Sequence, residues 1–280
     1  MKIAFLSDFF IEDFVGGAEA SDDALLESFK DRNIEVQKIK CINVNNNNIN
    51  NLINHFLIIS NFATLSEDVV NFITKKCKYI IYEHDYKFLS LRDPAKYENS
   101  NPRSTDVINY SFYNNAKCVF LQTTKHSEIY SSTTGLSNFE TVNGSLWTKK
   151  SFEVLEKYCN QDKKEKSAIV GYQQLNKGRV RTVEYCINNG IEYEIVETNQ
   201  DFETFIKSLS CYKKLIFMPI CYESCSRITL EARMLNMSVM LNNNVPVKHE
   251  DYFKTTKGVD LINLMKNLPH IVCDRVLSYM

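Results

Sequence analysis

The chain is 280 residues long, 44% hydrophobic and 24% charged, enough apolar matter for a real core in one large domain or two small ones. A formal net charge of −1 excludes a global basic field of the kind that draws nucleic acid or membrane, and leaves room only for a local basic groove. No apolar run approaches the roughly 18 residues of a membrane span, and Lys2-Ile3-Ala4-Phe5-Leu6-Ser7-Asp8 reads as a strand, not a signal peptide. Nine scattered cysteines without a C-x-x-C pair read as reduced core thiols in a cytoplasmic protein. Cys221 and Cys225 flank Glu223, but two thiols without a nearby histidine make a poor zinc site, so no metal is expected.

In chain order, short apolar runs alternate with helical patterns. The pattern predicts a strand over residues 2–8, a helix over 18–30 with Ala18, Leu25, Leu26 and Phe29 on one face, and a strand over 35–41. A polar patch, Asn45-Asn46-Asn47-Asn48, reads as a surface connection. A strand over 56–60, a helix over 66–74 capped by Ser66, and a strand over 79–82 follow. The first series closes with a helix over 105–115 and strands over 118–122 and 139–142. The pattern then restarts with a helix over 151–158 and a charged connection over 161–166. Strands over 168–171, 193–197, 215–218 and 239–241 are interleaved with helices over 179–188, 202–209 and 226–236. The tail reads as helix interrupted at Pro269.

Such alternation predicts an α/β fold of two doubly wound parallel sheets. The boundaries read as 1–147, 148–258 and a helical segment 259–280 that packs back on the first domain. Ligands in this architecture sit beyond the C-terminal ends of strands, so residues that follow strands are the site candidates.

Gly16-Gly17-Ala18-Glu19 opens the first helix, where free N–H groups and the helix dipole favour an anion; a plain tight turn is the alternative. The G-x-G-x-x-G fingerprint is absent, which disfavours a nicotinamide enzyme. Glu83-His84-Asp85 ends the fourth strand, either as a proton-exchanging site or as a solvated strand end. The aperiodic stretch 86–104, with Tyr86, Lys87, Arg92 and Asp93, has the length of a binding loop. Lys177 and Arg179 stand at a helix start after Gly171, a pairing suited to a diphosphate, or simply a solvated basic turn.

The stretch Tyr222-Glu223-Ser224-Cys225-Ser226-Arg227-Ile228-Thr229-Leu230-Glu231 carries two glutamates eight positions apart. If the helix starts at Ser226, a turn of about 100° per residue puts Glu231 inside the apolar arc of Ile228, Leu230, Ala232, Met234 and Leu235. Thr229, Arg233 and Asn236 take the polar side. A carboxylate on a buried face is costly unless hydrogen-bonded. A hydroxyl-rich ligand meets that need; a structural pairing with Arg or Lys, or a helix rotated to expose Glu231, are the alternatives. Glu223 precedes the cap and should point into the crevice.

With Pro219, Glu223 and Glu231 in an E-x7-E arrangement, the sequence resembles the retaining, nucleotide-sugar-dependent glycosyltransferases of family 4. Their architecture is GT-B, two Rossmann-type domains facing a cleft. Ser238-Val239-Met240-Leu241-Asn242-Asn243-Asn244, Gly16-Gly17-Ala18-Glu19, His84, and Gly171 with Lys177-Gly178 match further landmarks in order. The resemblance implies that Glu231 holds the donor ribose, Glu223 contacts the donor sugar, Lys177 neutralises the diphosphate and the Gly16-Gly17 backbone lines it. It implies His84 near the transferred sugar, with catalysis resting on Glu223, His84 and Lys177. Arg179, Arg227, Ile228 and Thr229 complete the expected donor site, and Asp85, Tyr86 and Arg92 stand on the acceptor side.

The implied reaction moves a sugar from a UDP- or GDP-sugar, a co-substrate and not a cofactor, to a hydroxyl on a glycan, a lipid-linked glycan or a hydroxymethylated DNA base. The abundance of Asn, Ile, Lys and Tyr suits an AT-rich genome, and a phage or viral source would favour the DNA acceptor. Two departures stand out. Tyr172 replaces the family's arginine, and the chain is short. A sugar-nucleotide-binding protein without turnover, or a Rossmann-type scaffold with structural glutamates, are the alternatives.

Overall fold

The structure, a computed structural model, describes residues 2–280. Contacts divide the chain into two compact units. The first comprises the residues up to Arg92, Asn101–Thr148 and Leu268–Met280; the second comprises Asp93–Ser100 and Lys149–Asn267.

The first unit holds strands β1 (Lys2–Ser7), β2 (Val36–Lys40), β3 (His55–Ile59), β4 (Lys78–Tyr82), β5 (Val119–Leu121) and β6 (Phe139–Thr141) in one parallel sheet, ordered β2-β1-β3-β4-β5-β6. Its strands are continuous apolar runs such as Phe56-Leu57-Ile58-Ile59, fully buried, as a parallel sheet covered on both faces requires. Helices α1 (Gly17–Asp31), α2 (Glu67–Lys76), α3 (Tyr110–Asn115) and α4 (Thr124–Thr134) connect them. The α2 start follows from local sequence: the Ser66 hydroxyl accepts the Val69 N–H, with Glu67 and Asp68 in the first turn and Lys75 and Lys76 in the last.

The second unit opens with α5 (Lys149–Tyr158). Strands β7 (Lys164–Val170), β8 (Tyr193–Val196), β9 (Tyr212–Phe217) and β10 (Ser238–Leu241) form a parallel sheet ordered β10-β9-β7-β8. Helices α6 (Arg179–Asn188), α7 (Phe202–Ser210), α8 (Arg227–Met234), α9 (Asp251–Thr255) and α10 (Gly258–Lys266) complete it. The last helix, α11 (Leu268–Ser278), returns to the first unit, where Val272, Cys273 and Val276 join Leu25, Phe29, Phe5 and Phe120 in one core.

Both sheets share one logic. In each, the first strand lies between the second and the third, so the chain reverses direction across the sheet between β1 and β3, and again between β7 and β9. Ligand sites in open α/β sheets form at such reversals.

Several expectations differ from what is seen. The helix expected over 105–115 begins at Tyr110, after a single 3-10 turn at Ser104–Asp106. The charged connection over 161–166 is partly strand. Lys164 and Lys166 stand exposed on β7, held by Glu194 of β8. Helix α4 was not anticipated, because Thr124-Lys125-His126-Ser127-Glu128 shows almost no apolar periodicity; a Thr123 cap and Gly135 at φ +72° delimit it. The tail is two helices. The boundary expected at residue 258 falls instead at Asn267, since α10 groups with the second unit. Among the described residues no helix is long and apolar enough to cross a membrane.

Candidate active site

The two sheet reversals gather most of the singled-out residues. In the second unit, Gly171 follows β7 and the chain runs through a 3-10 turn at Leu175–Lys177 to Gly178, which caps α6. Gly178 has φ +69°, and a Cβ there would lie 2.2 Å from the Met218 carbonyl oxygen, so only glycine fits this approach of the two loops. Ile220 and Cys221 N–H groups donate to the Asn176 carbonyl, at 2.8 and 3.1 Å, and tie the loop after β9 to the loop after β7.

This closeness brings Lys177 to Glu223. The ammonium lies 2.8 and 3.1 Å from the two carboxylate oxygens, with 31% and 10% side-chain exposure. Burial pulls the Lys177 ammonium down, but Glu223 outweighs it and holds Lys177 above the usual lysine range. The Lys177 ammonium also lies 6.0 Å from the centre of the Tyr172 ring. Burial pushes the Tyr172 phenol up, against the pull of that cation. Tyr172 therefore gives the site an aromatic wall. Arg179, the first residue of α6, makes no side-chain hydrogen bond or ion pair among the described residues, and so remains available to an anion.

Glu223 is fixed from a third direction. Its N–H donates to the Asn244 carbonyl, while Asn244 and Asn242 side-chain amides donate to the Pro219 and Ile220 carbonyls. The asparagine turn after β10 is thus the scaffold of the Glu223 loop, a role that the sequence alone did not disclose. The Tyr222 N–H also donates to Asp93, at 2.9 Å.

Helix α8 starts at Arg227. Ser226 stands at the N-cap position but in a left-handed conformation, φ +80°, and its hydroxyl does not cap the backbone; it meets the Thr229 hydroxyl at 2.7 Å. The expected polar side of the helix is corrected by this packing: Thr229 is fully buried, and Arg233 turns to the Phe253 and Thr256 carbonyls. Ile228 is buried as well. Glu231 is 5% exposed, with Arg227 on the same helix at 3.7 Å. The rotated-out alternative for Glu231 is thereby removed. Cys221 lies 3.4 Å from Glu223 with its thiol pushed up to about 12, first by burial, and Cys225 is buried.

The first unit builds its reversal differently. Asp8, after β1, accepts the Ala63 and Thr64 N–H groups at 2.8 and 3.0 Å and the Thr64 hydroxyl, closing the loop after β3 onto the loop after β1. Gly16 caps α1, but a Cβ on it would lie 2.3 Å from a Glu19 carboxylate oxygen. Glu19 folds back over its own helix start, so the anion position expected at Gly16-Gly17 is taken by a side chain. Burial holds that carboxyl above the usual range.

His84 is 7% exposed, so the solvated strand end is not what forms. Its Nε2 lies 2.6 Å from Asp22 on α1, and Asp22 in turn accepts the Ser60 hydroxyl at 2.6 Å. Below it, Glu83 is completely buried. It accepts the Tyr113 hydroxyl and pairs with Lys87, each at 2.5 Å, and takes the Asp85 N–H at 3.0 Å. Tyr86, expected on the acceptor side, is instead core, 1% exposed and packed on His126 at 4.5 Å between ring centres. Asp85 is half-exposed, with Arg92 at 3.5 Å.

No family model matches the chain, and neither does any curated protein. Solved structures do. Trehalose-6-phosphate synthase OtsA superposes with a TM-score of 0.57 at 8% identity, covering 99% of this chain and 91% of that one. Anabaena Alr3699/HepE in complex with UDP gives 0.54 at 10% identity, covering 100% and 97%. The same protein in complex with UDP-glucose gives 0.50 at 9%, covering all of both chains. The fold is GT-B. The GT-B fold accounts for the repeated sheet reversal; in this chain the Lys177–Glu223 pair, Arg179 and Glu231 stand at the reversal of the second unit and His84 near that of the first. Glu19, Asn242 and Asn244 enter the sequence reading only as parts of matching stretches, without the roles their side chains take here, and Asp22 is absent from it. Asp22 left one signal, an acidic residue one helical turn beyond Ala18-Glu19 on the face that α1 buries.

Proposed function

We propose that this protein is a retaining glycosyltransferase of the family-4 type, transferring a sugar from a nucleotide-diphosphate sugar to an acceptor hydroxyl. The observation that carries the reading is Glu231, a carboxylate 5% exposed on a helix packed all round, at the same sheet reversal as the Lys177–Glu223 pair and Arg179. In this reading Glu231 receives the ribose hydroxyls and Glu223 the donor sugar. Lys177 and Arg179, at the α6 start, stabilise the diphosphate as it gathers charge on leaving. When donor binds, Lys177 exchanges part of its contact with Glu223 for phosphate oxygens, freeing that carboxylate for sugar hydroxyls. Arg227, beside Glu231, adds a third cation to the donor side. His84, oriented by Asp22, serves the reacting sugar, with Asp85 and Arg92 toward the acceptor. UDP is the favoured nucleotide, in keeping with the UDP and UDP-glucose complexes among the structural neighbours. The transfer uses no bound metal.

A thermal-shift panel of UDP-, GDP- and ADP-sugars on the wild type and Glu231→Ala tests this. Stabilisation by one nucleotide class, lost in the variant, is the expected outcome; unchanged stabilisation in Glu231→Ala refutes it. The anomeric configuration of the product, read by proton NMR, decides retention.

A second reading has one specific observation in its favour. The Arg227–Glu231 contact makes Glu231 a structural partner of its own helix. In that reading the chain is a scaffold or binding protein, and Arg227→Gln destabilises it while no nucleotide sugar raises its melting temperature.

A further inference from the structure

The first unit contains a cavity of 570 Å³, within the usual range for small-ligand pockets, between α2 and the start of α3. It opens on the C-terminal side of β3 and β4, where the loops 60–66 and 83–92 emerge. Lys87, at its base, is three residues from His84. Its floor is closed by buried Phe62 and Phe112, which meet edge to face at 5.1 Å, and the open aromatic face is that of half-exposed Tyr110 at the rim. Its upper wall is amide and carboxylate. Asn71, Glu67 and Asn109 line it, and their side chains make no hydrogen bond or ion pair among the described residues. The far wall is held in place by backbone pairing, Ser90 N–H to the Asp106 carbonyl and Ile108 N–H to the Phe88 carbonyl, both at 2.9 Å.

Charge decides the class of ligand. Two cations line the cavity, but Lys87 is paired with Glu83 and Arg92 faces Asp85, and Glu67 adds a third carboxylate. Two positive charges against three negative ones make a poor site for a phosphate or a nucleic-acid backbone. The exposed Tyr110 ring beside amide and carboxylate groups suits instead a flat, apolar sugar face with hydroxyls around its edge. Arg92 itself holds a left-handed backbone, φ +53°, a conformation that non-glycine residues adopt at a cost and that clusters at binding sites.

We infer that this cavity binds an uncharged sugar ring of the acceptor. The inference rests on the glycosyl-transfer reading only for the word acceptor; the pocket and its ligand class stand on the geometry. It narrows the acceptor to a neutral glycan, carried on a lipid or free, and sets aside the DNA base.

Saturation-transfer NMR tests it with three probes: maltose or lactose, glucose 6-phosphate, and a short DNA duplex, each on the wild type, Tyr110→Ala and Asn71→Ala. Both side chains are exposed, so the variants should fold, which thermal denaturation verifies. The expected result is binding of a neutral disaccharide, weakened about tenfold in each variant, with no gain for the phosphosugar. Tighter binding of glucose 6-phosphate or DNA, disaccharide binding unaffected by either variant, or no disaccharide binding at all overturns it. The donor panel is scored separately. Nucleotide-sugar binding without saccharide binding defeats the pocket alone, and saccharide binding without nucleotide-sugar binding defeats the transferase reading alone.

Discussion

The two units repeat one strand order and place opposite charges at equivalent helix starts. After the first strand of the first unit, α1 begins under the carboxylate of its own Glu19. After the first strand of the second, α6 begins between Lys177 and Arg179. A helix N-terminus favours an anion in either place, but only the second leaves that position to a ligand. The polar groups around them differ in the same sense. Glu83, Lys87, Asp22 and His84 are almost wholly buried and mutually satisfied, whereas Lys177 and Glu223 keep contact with solvent. The first unit holds a fixed arrangement; the second holds an exchangeable one.

This contrast can be broken by mutation. The largest effect is expected in the first unit. Lys87→Met strands the Glu83 carboxylate in the core and should cost about 3–5 kcal/mol in urea denaturation, with much of the loss recovered in the double variant Glu83→Gln, Lys87→Met. If the single variant costs under about 1 kcal/mol, the first unit is not the rigid half.

Next comes an acid-sensitivity test. His126 is fully buried, and burial pushes its imidazole down to about 3 from an ordinary 6.5. A histidine with a depressed folded value contributes stability that is complete above 6.5 and is lost as pH falls from there toward 3. The slope is at most about 1.4 kcal/mol per pH unit. His126→Gln should flatten the stability profile in that window, and an unchanged slope would place the acid sensitivity elsewhere.

Gly178→Ala is expected to cost about 1–3 kcal/mol, because its Cβ would collide with the Met218 carbonyl at a positive φ. It should also reduce nucleotide-sugar binding, since the collision separates the two loops that carry Lys177 and Glu223. Lys177→Met leaves the Glu223 carboxylate, only 10% exposed, without its cation and should cost about 1–2 kcal/mol, less than Lys87→Met because Lys177 keeps 31% of its side chain in solvent, yet it should lower transfer markedly. A variant that loses stability but keeps transfer would reverse the roles assigned to the two units.

Much of this was legible in the sequence, for identifiable reasons. Strands such as Phe56–Ile59 are uniformly apolar because both faces of a parallel sheet are covered, so they stand out without an alignment. Glu231 was legible because a carboxylate in an apolar helical arc is a conflict that needs a cause. Thr229 was misread because α8 is buried on nearly every side, and no periodicity distinguishes a polar face that is solvated from one satisfied by a neighbour such as Ser226. Helix α4 was missed because its burial depends on Tyr130 and small hydroxyl residues, not on an apolar stripe. The Asp22–His84 contact spans 62 residues, and the Glu19 fold-back depends on a side-chain rotamer, so neither is written in local pattern.

The most direct test of the donor assignment is isothermal titration of UDP and a UDP-sugar into the wild type, Glu231→Ala and His84→Ala. The account predicts that Glu231→Ala abolishes measurable nucleotide binding while His84→Ala retains wild-type affinity and loses transfer. Wild-type affinity in Glu231→Ala, or binding lost only in His84→Ala, would contradict it.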